Sequence, residues 1–138
     1  MKNILLATVL LVLALDASAS PESLTVYKDA NCGCCAAWVD YMKNAGYTVK
    51  VEDSANMSAI KSKLGVPGEL QSCHTAVVDK TGQVIEGHVP AAAVKKLIAA
   101  PKVKGVAVPG MPMNSPGMGS LDGNLTTVDF DGKAFSKD

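Results

Sequence analysis

Hydrophobic residues recur along the chain with two periods, one typical of strands and one typical of helices. Single-residue alternation and short apolar runs predict four strands, at residues 23–27, 47–51, 75–78 and 83–86. Helical spacing predicts three helices, at residues 36–46, at 91–100 and in a short stretch up to residue 64 that Ser54 or Asn56 can cap. Lys80-Thr81-Gly82 is the predicted hairpin turn between the last two strands.

The resulting element order, βαβαββα, predicts an α/β fold. Two strands joined by a crossover helix, then an antiparallel hairpin and a final helix, form the arrangement of a minimal thioredoxin-like domain. We therefore expect a thioredoxin-like domain at residues 20–100 with a mixed sheet.

Residues 101–138 have a different character and are predicted to be a C-terminal extension. Pro and Gly recur too often in residues 106–119 for a regular helix, and three Met fall in the same segment. Residues 128–135 predict a small terminal hairpin that turns at Asp131-Gly132.

The N-terminus has the pattern of a secretory signal peptide. Met1-Lys2-Asn3 is a short basic start, residues 4–15 are apolar, and Ala17-Ser18-Ala19 is a small-residue cleavage signature. The apolar run is short for a membrane span, so a retained anchor is the weaker alternative. We expect cleavage after about Ala19, export to the periplasm and no membrane attachment afterwards.

The composition of the 138-residue chain narrows its partners. It contains 13 Lys, no Arg and 13 acidic residues, which gives a formal net charge of zero. Without a basic surface or an arginine fork, nucleic-acid binding is disfavoured. The unusual feature is sulfur, with four Cys and six Met against two His.

Three of the four cysteines are crowded into Cys32-Gly33-Cys34-Cys35, and the last is Cys73. Two structural disulfides are one interpretation in an exported chain, but bridges inside so tight a group close almost no loop and stabilise little. A thiol-disulfide oxidoreductase is another, because the group contains C-x-x-C spacing at a predicted helix N-terminus. Against it, the third Cys could divert the disulfide, and Cys73-His74-Thr75 lacks the cis-Pro expected before the third strand.

The predicted topology brings further donors to the cluster. The third strand starts, and the fourth ends, at the sheet edge where the first helix begins, so Cys73, His74 and His88 should face the other cysteines. The Pro/Gly loop adds three thioethers, Met111, Met113 and Met118. Thiolates and thioethers favour Cu(I), and imidazole accepts both copper oxidation states. We expect copper rather than a structural zinc ion, and bridging thiolates that hold several ions per chain.

Nearby residues are given other roles. Trp38, Met42 and Met57 lie within helical patterns and are expected to pack in the core. Glu69 and Glu86 are expected on the solvated surface or behind the ligands.

Four motifs occur in a fixed order: Cys32-Gly33-Cys34-Cys35, Ser72-Cys73-His74-Thr75, Glu86-Gly87-His88-Val89-Pro90 and Val108-Pro109-Gly110-Met111-Pro112. Over residues 24–119 the chain thereby resembles the CopG-like family of exported proteins associated with copper resistance. The resemblance implies a thioredoxin-like domain whose C-terminal extension contributes to metal binding, and interconversion of Cu(I) and Cu(II) during detoxification. The ligands that it implies are Cys32, Cys34, Cys35, Cys73 and His88, together with Met111 and Met113.

We interpret the chain as a periplasmic, redox-active copper-binding protein that acts in copper resistance, and leave open whether it is a copper oxidoreductase with turnover. Its expected partners are copper ions and periplasmic efflux or electron-transfer proteins, and a monomer is expected. The alternatives are a thioredoxin-like thiol-disulfide oxidoreductase and a passive copper chaperone or buffer.

Overall fold

Residues 20–138 are described by a computed structural model as a mixed α/β fold with a seven-stranded sheet and three α-helices. Residues 1–19, which include the predicted signal peptide, lie outside the described part. The strands are β1 (Ser23–Lys28), β2 (Thr48–Asp53), β3 (Thr75–Val78), β4 (Val84–Glu86), β5 (Gly105–Ala107), β6 (Thr126–Asp129) and β7 (Ala134–Lys137). The helices are α1 (Gly33–Asn44), α2 (Met57–Lys63) and α3 (Ala91–Ile98), and a 3-10 turn spans Gly68–Leu70.

The first helix begins directly at the cysteine cluster. Cys32 is its N-cap, and the Cys32 Sγ accepts the backbone N–H of Cys35. The preceding residue, Asn31, lies in a turn, where its backbone N–H donates to the Asp29 carboxylate. Three turns of α1 then bury one face, which carries Trp38, Val39 and Met42. The helix therefore packs on the sheet by its apolar stripe and presents its N-terminus at the sheet edge.

Strand pairing places four chain segments at that same edge. The sheet order is β2-β1-β3-β4-β5-β6-β7, with β1 parallel to β2 and antiparallel to β3, and with β3 antiparallel to β4. One row of Cα partners runs Tyr27, Thr75, Glu86 and Ala107 across four strands. We call this row the site edge, because the segments before or after each of its members carry the cysteines, the histidines and the methionine loop.

The C-terminal extension continues the sheet. The segment that includes Val106 and Ala107, for which only a regular helix was excluded, contains β5, which pairs in parallel with β4. The predicted terminal hairpin is present as β6 and β7, and Gly105 leaves room for the Phe130 ring, which a Cβ at that position would meet at 2.5 Å. Strand β5 was not predicted from the sequence, because only three of its residues pair with the parallel strand β4.

The core lies between the sheet and helices α1 and α3. It joins residues of β1, β3, β4 and both helices to Val106, Val108 and Leu125 of the extension. Trp38 and Met42 are fully buried, as predicted. Within residues 20–138, no helix has the length and apolar character needed to cross a membrane.

Candidate metal centre

The cysteine cluster forms at the site edge. Cys32, Cys34, Cys35 and Cys73 have their Sγ atoms within 4.8 Å of one another. Cys32 and Cys35 are joined by a disulfide, whereas Cys34 and Cys73 are free thiols. The Sγ atoms of Cys32 and Cys34 lie 3.5 Å apart. All four predicted sulfur donors from cysteine are therefore brought together, in two chemically different pairs.

Cys73 connects this cluster to both histidines. Its Sγ lies 3.0 Å from His88 Nε2 and 3.4 Å from His74 Nδ1. Burial, together with the neighbouring Cys34, raises the pKa of the Cys73 thiol to about 11. Without a metal, this thiol therefore keeps its proton at neutral pH, and a metal must displace the proton on binding.

His88 has its ring orientation set by the extension. The Nδ1 atom lies 2.6 Å from the carbonyl oxygen of Pro116, which can only accept a hydrogen bond. Nδ1 therefore carries the proton, and the lone pair of Nε2 faces the Cys73 Sγ. Burial lowers the pKa of the His88 ring, which favours the neutral form. A backbone carbonyl behind a ligating imidazole is the usual way in which proteins orient such ligands.

His74 is the more deeply buried histidine. Its ring lies between Trp38, at 4.5 Å between centroids, and His88, at 5.1 Å. Burial, with smaller contributions from His88 and Lys61, lowers the pKa of His74 to about 3. Its Nε2 is buried and has no hydrogen-bond partner within residues 20–138. In the neutral imidazole, Nδ1 therefore lies beside Cys73, and Nε2 is a buried polar atom without a hydrogen bond in the described part of the chain.

The methionine loop, residues 108–119, is tied to the centre at two points. Ser72, beside Cys73, donates its hydroxyl to the Gly110 carbonyl, and the Pro116 carbonyl accepts from His88. Gly117 fits closely, because a Cβ there would meet the Cys34 carbonyl oxygen and His88 Nδ1 at 2.9 Å each. The loop therefore covers one side of the cluster with backbone rather than with sulfur.

Two of the three predicted methionine ligands are exposed, unlike the cysteines and histidines. Met111 and Met113 are 52% and 70% exposed, and Met118, next to Gly117, is half-buried. Their role as ligands stays a prediction.

A buried ion pair behind the centre was missed from the sequence. Glu86 was expected on the solvated surface or behind the ligands, and its carboxylate is fully buried. It accepts hydrogen bonds from Lys61 Nζ at 2.5 Å, from the Ser72 backbone N–H at 2.8 Å and from the Thr75 hydroxyl at 2.6 Å. The ion pair therefore holds both ends of the short segment that carries Cys73 and His74.

The sequence shows no periodic signal for β5, and without β5 strand β4 would be at the edge of the sheet. With β5 alongside, β4 lies inside the sheet. The buried Glu86 carboxylate then requires a partner charge. Lys61 of α2 supplies that charge.

The remaining ligand atoms suit a soft metal. The Glu86 carboxylate is already committed to its hydrogen bonds, so the centre offers sulfur and imidazole nitrogen. Such a donor set favours Cu(I) and disfavours the hard cations Mg²⁺ and Ca²⁺. His88 Nε2 and His74 Nδ1 both lie beside the Cys73 Sγ, where they fit an ion bound by that sulfur.

Comparison with known proteins gives concordant results. Residues 70–118 match a family model described as "Protein of unknown function, DUF411". No curated protein matches the chain significantly. Two solved structures of a copper resistance protein, CopG in forms 1 and 2, align at 42% identity over 86% of this chain and 98% of theirs, with TM-scores of 0.74 and 0.75. The chain belongs to the CopG family.

Membership of the CopG family confirms the resemblance drawn from the four motifs. The family model spans Cys73, both histidines and the three loop methionines, but not Cys32-Gly33-Cys34-Cys35. The alignment with the CopG structures spans both parts, since it covers 86% of this chain. The cysteine cluster that could bind a metal is thus located in a chain homologous to a copper resistance protein.

Proposed function

We propose that this protein binds copper in the periplasm and interconverts Cu(I) and Cu(II) as part of copper resistance. The observation that carries the proposal is the convergence of four cysteine sulfurs with the oriented His88 nitrogen at one sheet edge. Homology to the copper resistance protein CopG supports copper as the metal. The N-terminal pattern of residues 1–19 supports export, and cleavage would remove the only long apolar run in the sequence.

We infer a thioredoxin-like core from the element order and pairings. The order β1-α1-β2-α2-β3-β4-α3, a parallel β1–β2 pair and antiparallel β1–β3 and β3–β4 pairs support this assignment. In such a core the N-terminus of α1 is the reactive position, since its free N–H groups and dipole favour thiolate.

The residues of the centre would have different roles in binding copper. The thiolates of Cys34 and Cys73 would bind Cu(I), and His88 Nε2 would serve either oxidation state. The low-dielectric surroundings of buried His74 and Trp38 disfavour extra charge and therefore favour the monovalent ion. The methionine loop would close over the open side and restrict water.

Copper loading tests the proposal. The mature protein is fully reduced without oxygen, incubated with excess Cu(I), desalted and assayed for copper per chain. We expect more than one Cu(I) per chain. Retention near zero would refute copper binding, and retention near one would refute the cluster of several ions.

Variants extend this test to individual ligands. Cys73→Ser should lose most of the copper, because Cys73 lies within ligand distance of both the cysteine cluster and the histidines. The exposed Ser58 on α2 offers a control, Ser58→Ala, which should retain the wild-type amount. Equal copper in both variants would contradict the proposed site.

A thiol-disulfide oxidoreductase is the second candidate. The observation that favours it is the Cys32–Cys35 disulfide at the N-terminus of α1. Reduction of insulin by the metal-free protein tests it, with activity lost in Cys32→Ser and kept in Cys73→Ser. A passive buffer is distinguished by bound copper whose oxidation state does not change reversibly with an electron donor.

A further inference from the structure

The two cysteine pairs of the centre differ in oxidation state. Cys32 and Cys35 form a disulfide, and Cys34 and Cys73 stay as thiols although all four sulfurs lie within 4.8 Å. A thiol engaged in a disulfide cannot bind Cu(I) as a thiolate. The same cluster therefore contains donors that are lost on oxidation and donors that survive it.

We propose that the dithiol of Cys32 and Cys35 supplies the electrons that reduce Cu(II), while Cys34, Cys73 and His88 hold the Cu(I) that is formed. This inference rests on the proposed copper function and adds the source of electrons to it. It also gives the C-x-x-C spacing and the additional Cys34 separate roles within one site.

The surviving donors already form a continuous group. Cys73 Sγ is 3.0 Å from His88 Nε2, and it lies within 4.8 Å of the Cys34 Sγ. Cys34 Sγ is 3.5 Å from the Cys32 Sγ, which belongs to the disulfide. The proposed electron source thus lies next to the proposed Cu(I) site, with no intervening residue.

The step balances as a two-electron exchange. The Sγ atoms of Cys32 and Cys35 each give up one electron and join in an S–S bond, and their protons pass to solvent. The two electrons convert two Cu(II) ions to two Cu(I) ions. Each closure of the disulfide is therefore matched by two Cu(I).

The next cycle requires the disulfide to be opened by an exported dithiol reductant. Cys32 is half-buried, whereas Cys35 is fully buried. Attack by an incoming thiolate would therefore occur at the Cys32 Sγ. This attack would release Cys35 as a thiolate in the first turn of α1. A second thiol of the reductant then resolves the mixed disulfide.

The test is an anaerobic titration of fully reduced, metal-free wild-type protein with Cu(II). A Cu(I)-specific chelator measures Cu(I), a thiol reagent measures remaining thiols, and peptide mapping after alkylation locates the disulfide. We expect two Cu(I) for each pair of thiols lost, with the bond between Cys32 and Cys35. A bond that involves Cys34 or Cys73, or Cu(II) bound without loss of thiols, would overturn the inference.

Two variants sharpen the assignment. Cys32→Ser should lower the initial rate of Cu(I) formation at least about tenfold, a drop in rate that corresponds to 1.36 kcal/mol of activation free energy. Cys34→Ser should still close the Cys32–Cys35 bond and should retain less Cu(I) after desalting. Equal Cu(I) formation rates in the wild type and Cys32→Ser would contradict the proposal.

Peptide mapping of the disulfide in the wild-type protein tests the proposal even if a variant fails to fold, because it needs no substitution. Loading of the reduced wild type with Cu(I) distinguishes a failure of the proposed copper function from a failure of the proposed electron source. Failure to retain Cu(I) refutes the proposed function. Retention of Cu(I) without Cys32–Cys35 closure on Cu(II) refutes only the electron source.

Discussion

Gly117 shows how a single backbone position can control the centre. It has a φ of +92°, and a Cβ there would meet the Cys34 carbonyl oxygen, His88 Nδ1 and the Trp38 backbone nitrogen at 2.9, 2.9 and 3.0 Å. A side chain would therefore push the methionine loop away from α1. It would also lengthen the hydrogen bond from His88 to Pro116, which orients the imidazole.

We expect Gly117→Ala to weaken both folding and copper retention. The left-handed backbone alone costs about 1–3 kcal/mol, and the close contacts add to it. Gly123→Ala is the matched control, since Gly123 has a φ of +80° but open space around its Cβ position. Urea denaturation should show the larger loss of stability in Gly117→Ala, and copper loss only there. Equal losses in the two variants would show that the loop does not pack as described.

The exposed methionines allow ligand and structural roles to be separated. Met111 and Met113 contribute little to packing, so replacing both by Leu should change the free energy of unfolding by no more than about 0.5 kcal/mol. If their thioethers close over the metal, the same variant should release Cu(I) faster to a competing chelator. Met57→Leu in α2 is the control. Unchanged release by the double variant would exclude thioether ligation by this pair.

At the residue scale, the sequence predicts which donors meet but not how they are oriented. The convergence of Cys73 on the first cysteines, and of His88 on Cys73, follows from strand directions, and the structure shows it. The Pro116 carbonyl that sets the His88 tautomer could not be predicted. Its position depends on a loop without regular structure, where no periodicity fixes which carbonyl faces the ring.

At the scale of elements, the Lys61–Glu86 ion pair links α2 to the site edge. Their side chains are 6% and 0% exposed, so water compensates neither charge. Lys61→Met should leave the Glu86 carboxylate without its counter-charge and should cost about 3–5 kcal/mol of stability. Lys63→Met, at an exposed position on the same helix, should stay within about 0.5 kcal/mol of the wild type.

Urea unfolding of the two lysine variants measures this difference. Because Glu86 also accepts from the Ser72 backbone, Lys61→Met should loosen the segment that carries Cys73 and His74. Faster hydrogen exchange in that segment would accompany the loss of stability. Similar unfolding midpoints for Lys61→Met and Lys63→Met would show that the pair contributes nothing net.

The elements show where pattern reasoning succeeds and where it fails. Strands β1 and β2 and helices α1 and α3 were predicted because their periodicity extends over several residues. Strand β5 was missed because only Gly105–Ala107 pair, and a run so short between Lys104 and Pro109 has no period. Of the two positions expected for Glu86, the structure shows the one behind the ligands, where Lys61 of α2 pairs with its carboxylate.

At the scale of the whole molecule, the extension completes the sheet. β5 covers the edge of β4, and Val106, Val108 and Leu125 belong to the common core. Burying each such side chain contributes about 1.5–3 kcal/mol, so the three approach the total stability of a typical domain, about 5–15 kcal/mol.

We therefore expect a chain that ends at residue 100 not to fold cooperatively. Far-UV circular dichroism during a urea titration should show a broad, shallow change, whereas residues 20–138 should unfold in one steep transition. The complete mature chain is the control at equal concentration. A steep transition in the shortened chain would instead indicate that residues 20–100 form an independent domain.

Trp38 is an intrinsic fluorescent probe of the metal centre. It is the only tryptophan in the chain, its ring lies 4.5 Å from His74, and its Nε1 donates to the Val89 carbonyl in a fully buried setting. Its indole emission therefore comes from a single environment, beside the donor cluster. A metal ion entering beside His74 would quench that emission directly, so filling of the site can be followed in the unlabelled protein as an optical titration.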